Sequence, residues 1–112
     1  VGKWDGGGPV SARGRFYVAC PANATTSLDD TGQAGAGATG DEIDWLWLYP
    51  ATTTPGALSL KDGAVTVWAW PAGITLNDTR PIFVPLNLRS QNGAWSVVAG
   101  ANMAALGAGA FS

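Results

Sequence analysis

Eight carboxylates, one cysteine and no histidine bound the chemistry open to this chain. The carboxylates are Asp5, Asp29, Asp30, Asp41, Glu42, Asp44, Asp62 and Asp78. A glycosidase needs two such groups facing each other across a sugar ring, and no spacing here marks such a pair. Most fall in expected turns, where a solvated carboxylate is the ordinary outcome. Asp62 has a turn role before Gly63, and Asp41 and Glu42 open a strand. Asp29 and Asp30 with loop carbonyls would make a weak calcium site, but the D-x-[DN]-x-[DN]-G pattern is absent.

The missing histidine removes the commonest general base and the commonest metal ligand together. Ser11, Ser27, Ser59 and Ser96 therefore have no imidazole to activate them, which rules out a Ser-His-Asp site. A zinc site would have to be nearly all carboxylate, which zinc rarely accepts. Gly35-Ala36-Gly37-Ala38-Thr39-Gly40 looks like a phosphate loop but lacks the Lys-Ser/Thr ending and runs into a strand. Cys20 is alone, expected as a small buried hydrophobe in a protein folded in a reducing cytosol. Asn23-Ala24-Thr25 and Asn77-Asp78-Thr79 match the glycosylation sequon, which matters only in a secretory pathway. These residues point away from an enzyme: no catalytic, cofactor-binding or metal-binding set is expected.

What remains is aromatic. Ile43 to Tyr49 (Ile-Asp-Trp-Leu-Trp-Leu-Tyr) is answered by Ala64 to Trp70 (Ala-Val-Thr-Val-Trp-Ala-Trp). Side chains of an extended strand alternate between faces. The first stretch then sends Ile43, Trp45, Trp47 and Tyr49 one way and Asp44, Leu46 and Leu48 the other. The second sends Trp68 and Trp70 opposite Val65, Val67 and Ala69. Neither alternates apolar with polar, so both strands need cover on two sides. Each tryptophan buries about 150–250 Å². If their strands are neighbours, Trp45, Trp47, Trp68 and Trp70 make one platform. Such a platform is core packing, a stacking surface for sugar rings, or a protein interface, whose centre favours aromatics over charge.

The elements that must position these rings read as β. Residues 1–13 read as an extended arm: Gly6-Gly7-Gly8-Pro9 suits no sheet interior, and Trp4 would dock on its own domain or on a neighbour. Gly14 to Cys20 is the first strand, with Phe16, Val18 and Cys20 on one face and Arg15, Tyr17 and Ala19 on the other. Residues 22–40 have no apolar period and read as a long loop, uncommon inside a compact domain. Asp62-Gly63 is a hairpin dipeptide pairing 57–61 with 64–70. Ile82, Val84, Leu86 and Leu88 share a face, and Pro85 places that strand at an edge or beside a bulge. Gln91-Asn92-Gly93 signals a second hairpin returning through 94–98. In the tail, Gly107 and Gly109 count against a helix, and Met103 and Phe111 fall opposite Ala104, Leu106, Ala108 and Ala110. Six or seven antiparallel strands with frequent turns give a β-sandwich or short β-barrel over residues 14–112.

Composition agrees with a folded domain. The chain has 112 residues, 12% of them charged and 46% apolar, which argues against disorder. A net charge of -2 with scattered Lys and Arg gives no footprint for nucleic acid. No apolar run nears the ~20 residues of a membrane helix, and the start shows no signal-peptide pattern, so a soluble protein with no membrane partner is expected. Many rings on so uncharged a chain favour life within an assembly, because monomers rarely expose large apolar patches.

From Gly40 onward the chain resembles a group of small structural proteins of tailed bacteriophages. The resemblance is carried by Thr39-Gly40-Asp41 opening a hydrophobic strand, Pro50-Ala51-Thr52-Thr53 after it, and Leu60-Lys61-Asp62-Gly63. It continues through Val84-Pro85-Leu86-Asn87-Leu88-Arg89-Ser90, Gly93-Ala94-Trp95-Ser96-Val97 and Gly100-Ala101-Asn102, closing at Phe111. It implies a β-rich virion component, made in the bacterial cytoplasm and placed on the capsid exterior as a decoration (cement) protein. Its implied partners are the major capsid protein and itself, as a homotrimer. Within that reading Trp4, Trp45, Trp47, Tyr49, Trp68 and Trp70 are the expected subunit or capsid contacts, with core packing the other role open to the strand tryptophans. The alternative is a carbohydrate-binding module or tail-fibre adhesin, with carbohydrate as partner and an exposed tryptophan platform.

Overall fold

Eight strands and no helix make up the computed structural model, which describes residues 14–30 and 37–112. The expected arm, with Trp4, lies outside the described residues. The strands are β1 (Phe16–Cys20), β2 (Ala24–Ser27), β3 (Glu42–Pro50), β4 (Leu58–Asp62), β5 (Val65–Trp70), β6 (Ile82–Arg89), β7 (Trp95–Ala99) and β8 (Met103–Ala110). They form two antiparallel four-stranded sheets, ordered β1-β8-β3-β6 (sheet A) and β2-β7-β4-β5 (sheet B). The all-β sandwich reading holds, with eight strands rather than six or seven.

The strand missed in the sequence is β2. Ala24-Thr25-Thr26-Ser27 carries no apolar period, yet it pairs with β7 through Ala24↔Ala99 and Ser27↔Ser96. The residue that follows, Leu28, is fully buried, and its N–H donates to the Trp95 carbonyl (2.9 Å).

Between β1 and β8 the chain changes sheet at every step except one, the β4–β5 hairpin. That hairpin forms as expected, but Asp62 pairs with Val65, so its turn is Gly63-Ala64. Gly63 has φ 60, and a Cβ there would overlap the Asn92 carbonyl, which is why glycine is needed. The second expected hairpin does not exist. Gln91-Asn92-Gly93 carries the chain from β6 in sheet A to β7 in sheet B. What bends the segment is the Asp62 carboxylate, which accepts the N–H groups of Gln91 (2.8 Å), Asn92 (3.0 Å) and Gly93 (3.2 Å).

β3 carries a further correction. An irregularity between Ile43 and Trp45 gives β3 one extra residue against β8, where Ile43 pairs with Gly109 but Trp45 with Ala108. The extra residue reverses the alternation. Ile43 therefore joins Leu46 and Leu48 in the core, opposite Trp45 and Trp47. Here β8 runs close to β3, and any Cβ at Gly109 would collide with the Glu42 carbonyl. β6 meets both expectations raised by Pro85: it is an edge strand, and its register shifts beside Asn87, which has φ 53.

The core lies between the sheets. It holds Leu28, Ile43, Leu46, Leu48, Leu58, Leu60, Trp95, Val97, Met103 and Phe111, all at most 1% exposed. Phe16 meets Phe111 edge to face at 5.8 Å. Cys20 is buried on β1 as expected, and burial pushes its thiol pKa up to about 11.

Candidate interaction face

Strand register places the outward side chains of sheet A in rows. One row runs Tyr17, Ala108, Trp45, Pro85 across β1, β8, β3 and β6. The next runs Ala19, Leu106, Trp47, Phe83. Beyond it Tyr49 pairs with Ala104. Ala104, Leu106 and Ala108 of β8 lie between Tyr17 and Ala19 of β1 on one side and the β3–β6 rings on the other. Tyr17 is 64% exposed, Phe83 47% and Tyr49 39%, while Trp45 and Trp47 are half-buried. Phe83 holds the two indoles together, 4.8 Å from Trp47 and 6.2 Å from Trp45 between ring centroids. Tilted contacts of this kind add about 0.5–1.5 kcal/mol beyond burial. They fix the rings as one surface.

A charged corner closes one end of the face. Arg15 donates to Asp44 through Nε (3.0 Å) and Nη2 (2.9 Å), and to Glu42 through Nη2 (2.7 Å). Arg89 donates to the other oxygen of Glu42 (2.7 Å). Hydrogen bonds from Arg89 and then Arg15 hold the Glu42 carboxyl below its ordinary range, and those to Asp44 and Glu42 raise the Arg15 pKa. The four groups line a cleft of about 260 Å³ with Ile43, Asn87 and Leu88. Two cations and two anions consume one another here. The corner offers a polar rim of two guanidinium groups paired with two carboxylates.

The structure separates the tryptophans that the sequence grouped. Trp68 and Trp70 belong to β5 in sheet B, where they pair with the buried Leu60 and Leu58 and pack against the core. They share no face with Trp45 and Trp47, so a four-indole platform does not form. The Trp70 indole N–H is buried with no acceptor. Trp95 is wholly internal, its Nε1–H donating to the Asp41 carbonyl (2.9 Å).

Several carboxylates expected in solvent are buried instead. Asp41 is fully buried and accepts from the Ala38 N–H (3.0 Å) and from the Ser112 N–H and hydroxyl (both 2.9 Å). Asp62 is 5% exposed; burial raises its pKa, but the donors from Gln91, Asn92 and Gly93 outweigh this and lower it overall. These are loop fasteners: burying a carboxylate is costly unless hydrogen bonds compensate it, and here backbone N–H groups do. Asp29 is also buried, one oxygen having no partner; desolvation first and Asp30 second push its pKa up. Among the described residues no three acidic or cysteine side chains gather as metal donors.

Sequence reasoning did not select Tyr17, Phe83, Pro85, Leu106 or Arg15 for this face. The available signal was parity: Tyr17 and Phe83 are aromatic at positions that alternation assigns away from the core. Which strands lie side by side was needed to join them. Compared with family models, curated proteins and solved structures, the chain matches none.

Proposed function

We propose that the protein is a non-enzymatic structural subunit that works in many copies and buries the outer face of sheet A against a neighbour. The observation that carries this reading is the apolar outer surface of sheet A, with Trp45, Trp47, Tyr49, Phe83 and Pro85 on β3 and β6 and Tyr17 on β1 across Ala104, Leu106 and Ala108 of β8. Contiguous apolar surface of this kind is uncommon on a free monomer and marks an interaction site. Aromatic centres with a polar rim are the usual anatomy of a protein interface. The sequence resemblance to small structural proteins of tailed phages supplies the setting: a decoration protein on the capsid exterior, trimeric, contacting the major capsid protein. In such a lattice many modest contacts act together, so no single site need be tight.

The test is sedimentation velocity over a concentration series, with co-sedimentation on emptied phage heads stripped of this chain. Trimer formation and head binding, both weakened at least tenfold by Trp47→Ser at unchanged fold, are the expected result. A monomer at millimolar concentration that ignores stripped heads overturns the reading. So does glycan-array binding that Trp47→Ala abolishes, which would make the same rings a sugar platform.

A further inference from the structure

Two loops meet where the chain passes from sheet A to sheet B: Asp62-Gly63, which turns β4 into β5, and Asn92-Gly93, which joins β6 to β7. They hold each other through backbone groups. The Asp62 carboxylate accepts the Gly93 N–H (3.2 Å) along with those of Gln91 and Asn92, and the Gly63 N–H donates to the Ala94 carbonyl (3.1 Å). The approach is close: a Cβ on Gly93 would lie 3.0 Å from the Gly63 Cα. Asp62 is buried in this strap, whereas Asn92 is exposed.

Of the five asparagines in the chain, only Asn92 precedes a glycine. Such a pair is prone to convert itself, because glycine has no side chain to obstruct attack by its own amide nitrogen. The Gly93 nitrogen gives up its proton and bonds to the Asn92 Cγ. The Cγ–Nδ2 bond breaks, and ammonia leaves carrying a proton. Water then opens the cyclic imide at either carbonyl, which leaves aspartate or isoaspartate at position 92. One water enters and one ammonia departs, and no electrons change hands.

The fold engages both the nucleophile and the leaving group. The Gly93 N–H is held by a carboxylate, and removing its proton would set an amide anion beside the charge of Asp62. The Asn92 amide that must depart also donates to Asp62 (3.4 Å). Asp62-Gly63 could form the same imide only through a neutral carboxyl. Burial raises the Asp62 pKa, but its N–H donors outweigh this and keep it ionised.

We propose that Asn92-Gly93 is a self-modification site, held shut by the Asp62 carboxylate, whose deamidation unfastens the two sheets. Reaction requires the strap to open locally. Aspartate at position 92 turns a donor into a second negative group against Asp62, and isoaspartate adds a main-chain atom where the two glycines are already in contact. Either product opposes reclosure, so the change runs one way. The strap lies apart from the sheet A face, and the proposal does not rest on the function given to that face.

The test follows position 92 of the full chain by peptide mapping at mildly alkaline pH, beside the free peptide of residues 90–94. The folded chain should react roughly tenfold or more slowly than the peptide, since only its locally opened fraction is competent. Asp62→Ala should raise the rate roughly tenfold by releasing hydrogen bonds to a charged group, and should abolish the exchange protection of the Gly93 amide. Met103→Ala empties a core position beside Pro50, at the far end of β3 from Glu42 and Arg89. It should leave both readouts unchanged although it weakens the fold. The deamidated form, separated by ion exchange, should melt below the parent, whereas Asn77→Asp, the same charge change in an exposed loop, should not. A parent that reacts as fast as the peptide, an Asp62→Ala rate at or below the parent's, equal acceleration by Met103→Ala, or a deamidated form as stable as the parent overturns the proposal. If Asp62→Ala does not fold, Gly93 exchange and the parent-to-peptide ratio decide it.

Discussion

The two outer faces of the sandwich share one architecture and differ in almost every side chain. Across sheet A the rows read Tyr17, Ala108, Trp45, Pro85 and Ala19, Leu106, Trp47, Phe83. Across sheet B the matching rows read Thr25, Val98, Ser59, Ala69 and Ser27, Ser96, Lys61, Thr66. Hydroxyls and an ammonium group keep their hydrogen bonds to water. Rings left in water are unfavourable by about 25 cal/mol per Å² of exposed apolar area. Both sheets contribute apolar side chains to the core between them, so the fold itself needs only one apolar side from each. The second apolar side of sheet A exceeds that need. This excess is the argument for a partner, and sheet B serves as its internal control.

The contrast exists only while the sheets stay clamped, so the largest effect should come from the clamp. Trp95→Ala removes the biggest fully buried side chain and its hydrogen bond to Asp41. It should cost about 3–5 kcal/mol in chemical denaturation, and both faces should be lost in one transition. Next, Phe83→Ser should weaken assembly by about 2 kcal/mol or more, as at an interface hot spot. The matched sheet B change, Val98→Ser, should leave assembly unaltered by the same sedimentation measurement. Equal effects from the two would erase the distinction between the faces.

A smaller effect is expected at the strap between the sheets. Asp62→Ala leaves the N–H groups of Gln91, Asn92 and Gly93 without their acceptor. It should destabilise by roughly 1–3 kcal/mol in urea unfolding. The smallest effect is acid loosening of the charged corner. Glu42 has a lowered pKa in the folded chain, so its contribution is full above the unfolded value near 4.3 and is lost as pH falls through the folded pKa. Its side chain is a third exposed, so the loss should be on the order of a few tenths of a kcal/mol. Glu42→Gln should flatten that part of the stability–pH curve, and a curve identical to the parent's would deny the corner any role.

How much was legible in the residues differs from strand to strand. β1, β4, β5, β6 and β8 were readable because apolar residues recur with period two or a turn dipeptide closes them. β2 was not, since four small and hydroxyl-bearing residues look the same in a strand as in a loop. The Asn92-Gly93 signal misled because local turn chemistry is blind to a carboxylate thirty residues earlier that bends the same segment. Alternation along β3 was readable on each side of Asp44 but not through it, because the extra residue is defined only against β8.

The sequence by itself determined the class of the fold, the absence of histidine chemistry and the surplus of rings over charge, since these follow from composition and short-range periodicity. Tertiary structure alone decided which rings share a surface. The chain crosses between sheets at almost every connection, so the neighbours of Trp45 and Trp47 are Phe83, Leu106 and, one strand further, Tyr17, all distant in sequence, while Trp68 and Trp70 turn inward on the other layer. Strand adjacency is set by the packing of two whole sheets, a property that no window of residues contains.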